Sequence, residues 1–369
     1  MAHKNVKQAW REMMEGNALT VRARIVERMN KGEVPPSVTL PESKAEFPKL
    51  LFLDTNIWVA LSQTHHGVKQ RLGVSAATTA IREAVKARRL VLPITATNLD
   101  EATKHADAEE RKRRARFMVD LSGNFSCLSP VVVRDHEIDR AVEKHILRDE
   151  KLPSIRPYLV HWGLAGVRGH RIRIFDADRK NAPFVEQLGN EPDMSAMLLA
   201  FGLDSDFHAE AGATEADLLD TVNKARSTDG HVPVLERMSD AFFYVLTRPN
   251  NYTRRIMFAL MKRGVSEQVY ADLIADRARL DDFAEDLHER YIWATLWFER
   301  DRSANDKPAL NDARDGSFLG QAIAYGNIVL TEKRWAHLAN KTKIAQRYGT
   351  TVLSRVDDLP DLLTQEGCI

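Results

Sequence analysis

Leu50-Leu51-Phe52-Leu53-Asp54-Thr55-Asn56-Ile57-Trp58-Val59-Ala60-Leu61 is the stretch on which the reading of the fold turns. Its four leading apolar residues, bounded by polar ones, predict a short strand buried on both faces. Apolar residues then resume at helical spacing, so Ile57, Val59, Ala60 and Leu61 predict the inner face of a following helix. Asp54 stands where the strand ends. In open α/β sheets ligands gather at the carboxyl ends of the strands, so an acid there is placed for metal or phosphate chemistry. The competing reading is a helix cap, since Asp, Thr and Asn all serve that purpose before a helix start.

Outward from this stretch the same rhythm repeats. A helix is expected over residues 75–89, a second buried strand over 90–94 with Pro93 as its flaw, and a third helix near Leu99, capped by Thr95, Thr97 or Asn98. Glu101 falls in that helix's first turn. Strand, helix, helix, strand, helix is the order of a parallel α/β sheet. The valines at 131–133 suggest a further short strand. Near the other end of the chain, residues 311–324 predict a helix, 327–332 a strand ending in Thr331 and Glu332, 335–348 a helix, and 351–353 a last strand. Asp312 and Asp315, three apart, share one face near a helix start. Acids there can simply complement the helix dipole. Yet Asp54, Glu101 and the Asp312/Asp315 pair all fall at one edge of the inferred sheet. Carboxylates brought within a few ångströms repel unless a cation sits between them. Oxygen donors without His or Cys select Mg²⁺ or Mn²⁺, and such ions activate water and steady the departing oxygen in phosphodiester cleavage.

The remaining sequence sets bounds. With 369 residues the chain has room for two domains, and its formal net charge of +1 names no partner. Two cysteines, Cys127 and Cys368, lack metal-like spacing and suit a reducing compartment. No signal-peptide core and no membrane-length apolar run is present, so a cytoplasmic protein without membrane contact is expected. Residues 1–46 read as an N-terminal helical arm and a Pro-rich linker. Residues 47–146 read as the first part of an α/β domain, 147–300 as a helical insertion and 301–369 as the second part. Five of the six residues from Arg111 to Arg116 are basic, a surface for steering phosphates or else a solvated face paired with Glu109 and Glu110. Small basic islands at 168–173 and 252–255 read as scattered surface arginines. His65 and His66 have no third ligand at useful spacing and read as loop residues. The acids at 204 and 206 lack the rest of a calcium loop.

Leu51 to Asn56, then Thr95 to Glu101, then Asp315 with Phe318 and Ala322, then Ile328 to Lys333, in this order, resemble the PIN domain, the nuclease fold of VapC-type toxins and several RNA-processing endonucleases. The resemblance covers about half of the chain. It implies a three-layer α/β/α sandwich around a mostly parallel sheet, here with a large helical insertion, and a divalent-metal-dependent endoribonuclease. Asp54, Glu101 and Asp315 resemble the family's acids, with Asp312 an additional catalytic and metal candidate. Asn56 resembles the residue supporting the first acid. Thr331 and Glu332 are further supporting candidates, although Lys333 stands where many members carry an Asp. Lys104, Arg111 and Lys333 are expected to neutralise substrate phosphates. Mg²⁺ or Mn²⁺ is the implied cofactor and RNA the expected partner, with a homodimer or a partner protein also open. A non-catalytic PIN-like module binding nucleic acid or protein is the alternative. A DNA nuclease or an aspartate-based phosphatase ranks below it, because Asn56 replaces the second Asp of haloacid-dehalogenase-like phosphatases.

Overall fold

β1 (Lys49–Leu53) leads into α1 (Thr55–His65) and α2 (Leu72–Lys86). The computed structural model describes residues 27–28, 31, 37–103, 106–149, 151–164, 167, 191–201, 251–301 and 310–369. Lys104, the island at 168–173, the acids at 204 and 206, part of the expected helical insertion and nearly all of the N-terminal arm lie outside the described residues. β2 is only Leu90–Val91, because Pro93 has no N–H to give a ladder, and Ile94 reaches Ser126 as an isolated bridge. Thr95 then caps α3 (Ala96–Ala102) through a reciprocal pair of hydrogen bonds with Asn98. A separate helix, α4 (Ala108–Ser122), capped by the Asp107 carboxylate, carries the basic run.

Two short strands without a clear pattern in the sequence, β3 (Phe125–Cys127) and β4 (Val160–Trp162), pair antiparallel. The valines at 131–133 are helical, not extended, and belong to α5 (Pro130–Val142), whose start is set by the Ser129 cap and Pro130 in the first turn. That start signal outweighs the β-branched run. A π-helical turn, Glu143–Leu147, closes α5. Next come α6 (Pro192–Phe201), α7 (Asn251–Lys262), α8 (Glu267–Ala275), α9 (Arg277–Glu285) and α10 (His288–Asp301). They are followed by α11 (Leu310–Tyr325), β5 (Ile328–Leu330), α12 (Lys333–Lys341), α13 (Ile344–Arg347), β6 (Thr351–Leu353) and α14 (Leu359–Gln365). The single helix expected over 335–348 is split where Lys343 adopts a φ of 57°.

The architecture is mixed α/β, with four parallel strands in the order β2-β1-β5-β6. β1 is buried along its whole length, and its side chains alternate between two cores. Leu51 and Leu53 join Trp58, Leu61, Ile81 and Met118, while Leu50 and Phe52 join Phe318, Leu319, Ile323 and Ala339. Each such side chain contributes about 1.5–3 kcal/mol relative to exposure, which pins the register of the strand that delivers Asp54. α10 and α11 approach closely: a Cβ at Gly320 would lie 2.5 Å from the Glu289 carbonyl oxygen, so only glycine permits the contact.

A third core gathers Ile138 and Val142 of α5 with Ile256, Leu260, Leu273 and Phe283 of α7, α8 and α9. Asp135, Asp139 and Glu143 repeat at every fourth position beside it and meet Arg255 of α7 and Arg263 just past its end. Deeper in, Glu137 accepts the Tyr325 hydroxyl and the Glu289 N–H, while Arg134 forks onto the Glu289 carboxylate. Burial, reinforced by the charge of Glu289, pushes the Glu137 carboxyl up to about 8. No helix among the described residues is long and apolar enough to cross a membrane.

Candidate active site

Asp54 occupies the N-cap position of α1, yet its side chain makes no capping hydrogen bond. Its Oδ2 instead accepts the Thr331 hydroxyl at 3.0 Å, from the residue that follows β5. The carboxylate thus joins the ends of the two central strands rather than closing a helix. Burial, at 8 % exposure, pushes it up to about 6; the Thr331 hydroxyl opposes the shift, and the charges of Glu101 and Glu332 reinforce it. The Asn56 backbone N–H also favours the ionised form, without reaching hydrogen-bond geometry.

Glu101 stands in the second turn of α3, because that helix starts at Ala96 and not near Leu99. Asn98, buried on the same helix, fixes its placement. The Asn98 amide donates to the Leu53 carbonyl at 3.2 Å and to the Thr55 hydroxyl at 3.0 Å, stapling α3 to the β1–α1 junction. Burial raises the Glu101 carboxyl, the Thr55 hydroxyl and Arg314 oppose, and Asp100 and Glu332 add repulsion. Arg314 is itself 3.3 Å from the Asp100 carboxylate.

Asp315, on α11, accepts the Trp335 indole N–H at 2.9 Å through Oδ2. Burial pushes it up to about 7; Trp335 opposes, and the charges of Asp54, Glu101 and Glu332 raise it further. Glu332, exposed at the N-cap of α12, accepts the Asn56 side-chain amide at 2.6 Å. Asn56, expected beside the first acid, is spent on this one. The charges of four acids from separate stretches, Asp54, Glu101, Asp315 and Glu332, therefore act on one another near the carboxyl ends of β1 and β5.

Two expected site residues are engaged elsewhere. Asp312 gives Oδ2 to Arg300 and Oδ1 to Arg334, each at 2.7 Å, and Arg300 is fully buried. A carboxylate with guanidinium on both oxygens is already compensated, so Asp312 is an ion-pair anchor and not a metal ligand. Arg111 donates to the Ala200 and Ala106 carbonyls at 2.8 and 3.0 Å, which ties α4 to α6 instead of offering a phosphate contact. Its neighbours Lys112 and Arg113 pair with Glu109 and Glu110, and Arg114 is buried, so the basic run is largely matched within its own helix. Lys333 is exposed at the start of α12, next to Glu332. His65 and His66 pack as an exposed pair against Phe117.

Carboxylate oxygens alone form the donor set of the acid group, which suits a hard divalent ion. Burial first, and the charges of the neighbouring acids after it, raise the proton affinities of Asp54 and Asp315. Among the described residues, no three His, Cys, Asp or Glu side chains stand close enough to hold one ion in this arrangement. Two residues of the site carried little signal in the sequence: Asn98 is readable as a capping partner of Thr95 but not as a staple, and Trp335 reads only as the apolar face of a helix. Compared with protein-family models, with curated proteins and with solved structures, the chain matches none.

Proposed function

We propose that the chain is a PIN-like, Mg²⁺- or Mn²⁺-dependent endoribonuclease, its four parallel strands forming the centre of a three-layer α/β/α sandwich. The observation that supports this reading is the Asp54 carboxylate at the carboxyl end of β1, bonded to Thr331 instead of capping its helix and lying within reach of the charges of Glu101 and Glu332. Asp54, Glu101 and Asp315 would hold the ion, which when bound supplies the charge that activates water and stabilises the departing oxygen. Thr331 and Trp335 orient the first and third acids by donating to one oxygen of each. Glu332, tethered by Asn56, accepts a proton from attacking water or completes the ligand set. Lys333, on the same helix start, meets substrate phosphate.

Incubation of the purified protein with total RNA and Mn²⁺, followed by sequencing of cut ends, tests this directly. Defined cleavage that disappears in D54N and D315N is expected; equal cleavage by D315N would falsify the assignment. A second reading, a PIN-like nucleic-acid- or protein-binding module without cleavage, draws on the absence of a ready chelating triplet among the described residues. It predicts RNA binding that is unaffected by Mn²⁺.

A further inference from the structure

Asp312 precedes Asp315 by nearly one turn of α11 and holds Arg300 and Arg334. Arg334 lies over the Trp335 ring, 4.9 Å from its centroid, and Arg300, stacked on Trp297 at 4.8 Å, reaches to 5.9 Å from the Trp335 centroid. Trp335 is 2 % exposed, and its N–H points at Asp315 Oδ2. The chain of contacts thus leaves α11 at Asp312, passes through two arginines and an indole, and returns to α11 at Asp315. An indole has a single polar hydrogen and no acceptor, so its orientation is set by where that hydrogen goes and by what flanks the ring. Here both constraints act together.

We propose that Trp335, clamped by the Asp312-anchored arginines, is a positioning residue that fixes the Asp315 carboxylate for metal binding. The proposal rests on the metal-dependent reading above and gives Asp312 a role one step removed from the ion. An N–H on Oδ2 restrains rotation of the carboxylate and leaves Oδ1 as the oxygen the indole does not occupy. Oriented ligands of this kind hold metals more tightly than free ones, and removal of the orienting partner typically weakens affinity by about 10–100-fold. Nothing in this role requires Trp335 to touch substrate.

Trp335→Phe keeps most of the ring's volume and removes only the donor. Calorimetric Mn²⁺ titration should give a dissociation constant weaker by about 10-fold or more, and cleavage should lose kcat with KM for RNA nearly unchanged. A purely structural tryptophan would lower the melting temperature and leave the Mn²⁺ constant where it was; that result overturns the proposal. Should the variant fail to fold, the wild-type protein still decides the matter. With the six tryptophans labelled at the indole nitrogen, one N–H resonance should move on Mg²⁺ addition, and none should do so in D315N. No moving indole in a protein that binds Mg²⁺ overturns the proposal. A wild-type protein that takes up neither ion removes the metal-dependent reading itself, whereas uptake lost in D315N but kept in W335F removes only the role of Trp335.

Discussion

Replacing Asp315 with Asn should stabilise the metal-free protein, and the gain should depend on pH. In the fold the Asp315 carboxyl is pushed from 3.8 to about 7, by burial first and by three neighbouring acids after that. Its folded value lies above its unfolded value, so its contribution to stability is complete below about pH 4 and is lost as the pH rises toward 7. At roughly 1.4 kcal/mol for each tenfold change in acidity, that displacement sets an upper bound of about 4 kcal/mol at pH 8. Partial exposure and solvent screening reduce that to roughly 2 kcal/mol. The amide oxygen introduced by the substitution would still accept the Trp335 N–H, so the comparison isolates charge from hydrogen bonding. Thermal unfolding in chelator at pH 8 should show D315N melting about 4 °C above wild type, with the two nearly coincident at pH 4. A lower melting temperature for the variant at pH 8, or the same increment at both pH values, would refute the idea that the buried Asp315 charge and its acidic neighbours destabilise the metal-free fold.

Further outcomes follow from the same contacts. Mn²⁺ should raise the melting temperature of wild type at pH 8 but hardly at pH 5, because Asp54 and Asp315 then carry protons that the ion must displace; thermal-shift titrations at the two pH values read this directly. Asp312→Asn should destabilise by about 3–5 kcal/mol, measured by denaturant unfolding, because it strips the carboxylate from buried Arg300. Glu137, raised from 4.5 to about 8, lends stability below pH 4.5 that fades by pH 8, so E137Q should flatten the fall in wild-type melting temperature over that range. Gly320→Ala should cost about 1–3 kcal/mol by forcing α10 away from α11, and a stability equal to wild type would show that the two helices separate freely.

The strand before Asp54 was legible because a run of bulky apolar residues bounded by polar ones has few other uses, and its sheet partners β5 and β6 carry the same signature. Glu101 and Asp315 were legible through their order along the chain and not through any local pattern. Asp312 was not, since spacing along α11 tells which acids share a face but not that Arg300 and Arg334 wait on two other helices. β3 and β4 escaped because each has three residues of mixed polarity, too few for an alternation to emerge. At the valines the competing signals were both present, and the Ser-Pro start prevailed over side-chain branching. The Trp335 contact was beyond local reading, because its acceptor lies on a different helix.

The row of acids on α5 that meets the arginines of α7 has a consequence for how the middle of the chain responds to its surroundings. Asp135 and Arg255 sit partly in water, where mobile ions compete with them, whereas the leucines and Phe283 beneath do not feel such competition. Raising ionic strength therefore weakens the rim of that seam and, through stronger exclusion of apolar surface, tightens its floor. The helical segment is fastened by two bonds of opposite temperament, and the medium decides which one carries the strain.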